Sequence, residues 1–123
     1  MRSIGLRFFA STLACTALIL GTPEALAHAR PKVMAPAPDS TVNSPSTVTV
    51  TFSEAVEPKF SSLEVVDGQG KKYNTAHSAP ASGDAKTLTL AMPPLHSGVY
   101  QVHWVSVAAD GHRMEGVYKF TVK

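Results

Sequence analysis

Asp110 and His112 lie two residues apart with Gly111 between them. On an extended or turning backbone, this spacing points a carboxylate and an imidazole to one side, and glycine gives the chain room to turn between them. Asp-Gly is also a common turn pair, so the motif alone is a weak signal. It gains weight beside His28. Were the chain cut after Ala27, His28 would carry two metal-binding nitrogens, the free α-amine and imidazole Nδ1. Together these close one chelate ring on a single ion. The amine has a reference pKa of about 7.7–8.0, so a metal must displace a proton and its affinity should rise with pH. Neutral amine and imidazole nitrogens suit late first-row ions, with Cu²⁺ ahead of Ni²⁺ and Zn²⁺. His112 and Asp110 would complete an N,N,N,O set, a donor set of tetragonal Cu(II). Asp110, His112 and His28 are therefore the candidate metal ligands.

That chemistry depends on processing. Met1 to Ala27 reads as a secretory signal peptide. Arg2 and Arg7 make a positive start, Phe8 to Leu20 is a short apolar run, and Ala25-Leu26-Ala27 is a small-residue cleavage site. The run is broken by Gly21 and Pro23, short of the ~20 apolar residues of a spanning helix. Export places the protein in the periplasm. Cleavage leaves residues 28–123, one domain of 123 − 27 = 96 residues. Cys15, the only cysteine, leaves with the signal, so neither disulfide nor thiolate chemistry remains. Eleven Lys and Arg less Arg2 and Arg7 give nine; nine Asp and Glu less Glu24 give eight. A net charge near +1 argues against a nucleic-acid partner.

The elements that must hold these residues read as strands. Thr47 to Phe52 alternates strictly, with Val48, Val50 and Phe52 on one face. Ser62 to Val66, Thr87 to Met92, Val99 to Val107 and Val117 to Val122 follow, separated by turns. Tyr100, Val102 and Trp104 share the expected core face of their strand; Gln101 and His103 share the wet one. Met34 to Pro45 and Asn74 to Lys86 read as surface loops. No segment carries a sustained helical period. The pattern predicts an all-β, immunoglobulin-like antiparallel sandwich. Glu54 keeps the parity of Val50 and Phe52 just past their strand. A carboxylate there is a candidate outer partner or weak ligand at the metal. His77 and His96 read as solvated turn residues.

Three segments carry a family resemblance: H-A-R-P from His28, F-S-E-A-V-E-P from Phe52 to Pro58, and Y-Q-V-H-W-V-S-V-A-A-D-G-H-R-M-E-G from Tyr100 to Gly116. The chain resembles the CopC family of periplasmic copper-binding, copper-resistance proteins. The resemblance implies a seven-stranded Greek-key β-barrel or sandwich. It implies one type-2 Cu(II) per chain on His28, Asp110 and His112, with Glu54 where the family places a carboxylate close to copper. It also implies a monomer that buffers copper or passes it to an inner-membrane CopD-like copper permease. Some family members hold Cu(I) on clustered methionines of a loop. Asn74 to Lys86, the corresponding loop, has none, and Met34, Met92 and Met114 are scattered, so no Cu(I) methionine site is expected.

Two other readings compete with a copper-binding protein that is not an enzyme. A copper monooxygenase also uses an N-terminal histidine brace on a β-sandwich, but needs an exposed substrate platform, and no aromatic cluster lies outside the strands. A metal-free immunoglobulin-like interaction module would leave His28 and Asp110 without a role. In the uncut chain His28 has an amide nitrogen in place of an amine. Only closeness of the His28, Asp110 and His112 side chains is then expected.

Overall fold

The computed structural model describes residues 28–123; residues 1–27, expected from the sequence to be a signal peptide, lie outside the described residues. Eight strands form two four-stranded sheets. In chain order they are β1 (Pro31–Ala35), β2 (Thr41–Val42), β3 (Thr47–Phe52), β4 (Ser62–Asp67), β5 (Ala79–Ala81), β6 (Asp84–Ala91), β7 (Gly98–Val107) and β8 (Arg113–Val122). One sheet runs β1-β3-β6-β5 and the other β2-β8-β7-β4. The all-β sandwich follows from the alternation. Val48, Val50 and Phe52 of β3 and Leu88 and Leu90 of β6 are buried against Leu63, Val65, Tyr100, Val102, Phe120 and Val122 of the opposite sheet. Each such aliphatic or aromatic side chain contributes about 1.5–3 kcal/mol by leaving water. Tyr100 stacks on Phe120 with ring centroids 5.8 Å apart.

Three strands depart from the sequence reading. The loop expected over Met34 to Pro45 contains the end of β1 and all of β2. The loop expected over Asn74 to Lys86 contains β5 and the start of β6. The count is thus eight in place of seven. One pairing is parallel, β2 with β8, in a sheet pattern expected to be wholly antiparallel. The physical reason is common to all three: β1, β2 and β5 are short edge strands. Edge strands need no alternating apolar face and tolerate proline, as Pro31 and Pro80 show.

The long hairpin β7–β8 is the backbone of the site. Its ladder runs without a break from Gly98↔Val122 to Val107↔Arg113. This register puts Ala108 to His112 at the tip. The Gly111 amide donates to the Ala108 carbonyl (2.9 Å) and the Ala108 amide to the His112 carbonyl (3.0 Å). Gly111 has φ of 86°, the left-handed conformation that closes such a short loop and that glycine adopts without strain. Below the tip, Trp104 is half-buried and faces Gly116 across the ladder. A Cβ on Gly116 would sit 2.6 Å from the indole, so only glycine lets the ring lie there. The indole meets Phe52 of the other sheet edge-on at 5.9 Å.

The hydroxyl of Tyr118 is buried without a hydrogen-bond partner among the described residues. Burial pushes its pKa up from 10.0 to about 12. The folded-state value exceeds the unfolded one. The neutral phenol therefore favours the fold below a pH of about 10, and that contribution is lost as pH rises toward about 12. Replacing Tyr118 by Phe removes an unsatisfied hydroxyl while keeping the ring. Urea unfolding of Tyr118→Phe should show unchanged or higher stability at neutral pH and a shallower alkaline loss than the parent. Equal alkaline losses would contradict this.

Candidate metal centre

His28 is held at one end of the sandwich by its neighbours in sequence. β1 begins three residues later and pairs antiparallel with β3, Pro31 opposite Phe52. The backbone leading into it is fixed on both sides. Ser53 Oγ donates to the His28 carbonyl (3.0 Å) and accepts from the Arg30 amide (3.0 Å). The Ser53 amide in turn donates to the Arg30 carbonyl (2.8 Å). Ala29 is fully buried, and its carbonyl accepts from Ser106 Oγ at 2.7 Å. Ser106 lies on β7 two residues before the hairpin tip, so the start of the domain is tied to both sheets next to Asp110 and His112.

At the tip, Asp110 takes two hydrogen bonds from His112. The His112 amide donates to Oδ1 (3.0 Å), and His112 Nδ1 lies 2.7 Å from Oδ2. The side-chain contact with His112, then the bond from its amide, hold the Asp110 carboxyl below its ordinary value; the nearby His112 and His28 add to this. The carboxylate is acceptor-only, so Nδ1 is the protonated nitrogen of His112, and Nε2 keeps its lone pair. A carboxylate that orients a histidine in this way is the usual companion of a metal-ligating imidazole. Asp110 also retains lone pairs beyond the two used.

The ring of His28 meets that of His112 edge-on, with centroids 5.1 Å apart. His28 Nδ1 is buried and has no hydrogen-bond partner among the described residues. A buried ring nitrogen without a partner carries a desolvation cost that a bound ion would offset. The donor chemistry of His28 and His112 therefore fits a late first-row ion.

The three candidates do not form a finished cage. Among the described residues, no group of three or more His, Cys, Asp or Glu side chains is arranged to hold a metal ion. In this chain the nitrogen of His28 is bonded to Ala27, so the amine donor is absent by covalent structure. Glu54 is half-buried in the bend after β3, one residue beyond Ser53, and enters no ion pair among the described residues. The strand parity used to aim it ends at Phe52. His103 is exposed on the outer face of β7, with Nε2 3.1 Å from Gln101 Oε1. His77 and His96 are exposed. Sequence reasoning missed Ser53 and Ser106. The signal was there for Ser106: it shares the core-facing parity of Tyr100 and Val102, where a polar residue needs a partner.

Known proteins share this sequence pattern and fold. The model of the CopC domain matches residues 32–123. A copper resistance protein C from Xanthomonas campestris pv. juglandis is 31% identical, over 95% of this chain and 97% of its own length. The crystal structure of CopC from Methylosinus trichosporium OB3b superposes with a TM-score of 0.73 at 33% identity, covering 78% of this chain and 94% of that one. PcoC, a methionine-rich copper resistance protein from Escherichia coli, superposes with a TM-score of 0.68 at 33% identity, covering 78% and 99%.

The neutral His112 ring should be the Nδ1–H tautomer in metal-free protein. Long-range ¹H–¹⁵N spectra of the imidazole check this, and Asp110→Ala should lose the preference. A dominant Nε2–H form would contradict the geometry.

Proposed function

The chain belongs to the CopC family of copper resistance proteins, and on that premise we propose that it is a non-catalytic carrier of one Cu(II) ion in the periplasm. The signal segment 1–27 is removed, and His28 becomes the first residue of a 28–123 copper-binding domain. Copper is the cargo. The α-amine and Nδ1 of His28 form a chelate, Nε2 of His112 supplies a third nitrogen, and Asp110 supplies a carboxylate oxygen. Glu54 is an outer or weak partner. The observation that carries this reading is the buried, unpartnered Nδ1 of His28 beside the His112 ring.

The division of labour follows from the donors. Three nitrogens and a carboxylate oxygen favour Cu(II) over Cu(I), which prefers thioethers and thiolates. Met92 is buried in the core and Met34 packs against it, so neither is offered to a soft ion at the surface. In this the chain differs from its methionine-rich relative. The anionic carboxylate stabilises the higher charge of Cu(II) and opposes redox cycling, which suits storage and transfer better than oxygen activation. The protein acts as a monomer that buffers copper or delivers it to a membrane-bound copper permease of the CopD kind.

Cu(II) titration of protein beginning at His28, against a competing chelator, should give one ion per chain and a type-2 EPR spectrum with nitrogen splittings. One extra residue before His28 should weaken binding by more than the roughly 10–100-fold that loss of an outer partner costs. Equal affinity of the two forms would rule out the terminal chelate.

A further inference from the structure

A residue of the metal centre's support lies outside the donor set. Ser106 is completely buried, on the same core-facing parity of β7 as Tyr100 and Val102. A hydroxyl in that setting is costly unless it is bonded. Its partner is not in the sheets' own ladder. It donates to the carbonyl of Ala29, 77 positions away, at 2.7 Å. Ser53 repeats the arrangement from the other sheet. Its single hydroxyl bonds both the His28 carbonyl and the Arg30 amide. Three consecutive residues, 28, 29 and 30, are thus held by two side chains from β7 and the end of β3. Terminal residues ordinarily fray. After processing, these three would be the first residues of the protein.

We propose that Ser106 and Ser53 are positioning residues for copper binding, acting mainly on retention of the ion. They hold the first residues of the mature chain in the conformation that presents the terminal amine and Nδ1 of His28 to His112. This inference rests on the terminal-chelate reading above. Neither serine touches the metal. Each removes freedom that the ion would otherwise have to remove on binding, so the chelate is formed in advance. The consequence falls on retention of the ion more than on its capture, because an unfastened terminus lets the amine and imidazole leave together. The two hydroxyls act on neighbouring carbonyls from opposite sheets, so either loss alone frees one side of the segment.

The test compares Cu(II) affinity and the rate of Cu(II) loss to a chelator in two backgrounds, protein beginning at His28 and the same protein with one residue added before it. In the first background, Ser106→Ala and Ser53→Ala should each weaken binding about 10-fold, mainly through faster loss, with the EPR parameters of the bound ion unchanged. Ser53→Thr, which keeps the hydroxyl, should bind as the parent does. In the extended background, where no terminal chelate exists, the same substitutions should leave the residual affinity unchanged. Parental affinity of both alanine variants in the first background would overturn the proposal. So would equal losses in both backgrounds, which would mark the serines as general supports of the fold. An extension that costs no affinity would overturn the terminal chelate itself, and the positioning role with it.

Discussion

The structure depends on the fastening of its first three described residues to both sheets. Burying Ala29 and bonding its carbonyl to Ser106 places a backbone segment where an apolar side chain would otherwise fill the core. Ser53 does the same from the end of β3. The first residues are thereby linked to both sheets by serine-to-backbone hydrogen bonds at one end. That end is also where the β7–β8 hairpin turns. The placement of His28 beside the Asp110–His112 pair follows from this constraint, because it sets His28 at a fixed distance from the tip.

The tip owes its rigidity to length and register. Ten consecutive cross-strand pairs leave no slack before Ala108, and a left-handed Gly111 closes the loop. Asp110 and His112 then have one face available, and they bond each other on it. The same bond orders the ring and leaves the outer nitrogen open. The candidate ligands are thus held by a ladder, a turn and two serine hydroxyls. The hydrophobic core below supplies the stability those devices draw on. The packing of Trp104 over Gly116 against Phe52 continues that core up to the edge of the site.

Much of this was legible in the sequence, for reasons that differ by element. The strands β3, β4, β6, β7 and β8 declare themselves because each has one buried face, and period-two alternation is the direct imprint of that burial. The edge strands β1, β2 and β5 are short and bury little, and β1 and β5 carry proline, so no local pattern marks them. The parallel contact of β2 with β8 is a tertiary matter and leaves no trace in two residues. The site was half legible. Asp110 and His112 are local and announce each other, but His28 lies 110 − 28 = 82 positions away, and periodicity cannot relate them. Donor chemistry makes that link, since a two-nitrogen chelate at His28 lacks the imidazole and carboxylate that Asp110 and His112 offer, and the family resemblance adds to it. Ser106 illustrates the remaining gap. Its parity marks it as a buried hydroxyl in need of a partner, yet nothing local says that the partner is the carbonyl of Ala29. Glu54 lies two residues past the end of β3, where strand parity no longer fixes which way a side chain points.

On the proposed function, the metal site is a product of processing. Before the cut, the fold holds an imidazole with a buried bare nitrogen next to a second imidazole. A cut after Ala27 would add an amine to the same atoms and so complete the proposed chelate. The central claim is therefore about one peptide bond, between Ala27 and His28. Export of the full chain in a Gram-negative host, followed by intact-mass measurement and N-terminal sequencing of the periplasmic protein, tests it most directly. A chain that begins at His28 is the expected result. A chain that begins at any other residue would contradict the account, because His28 would then have no terminal amine to offer.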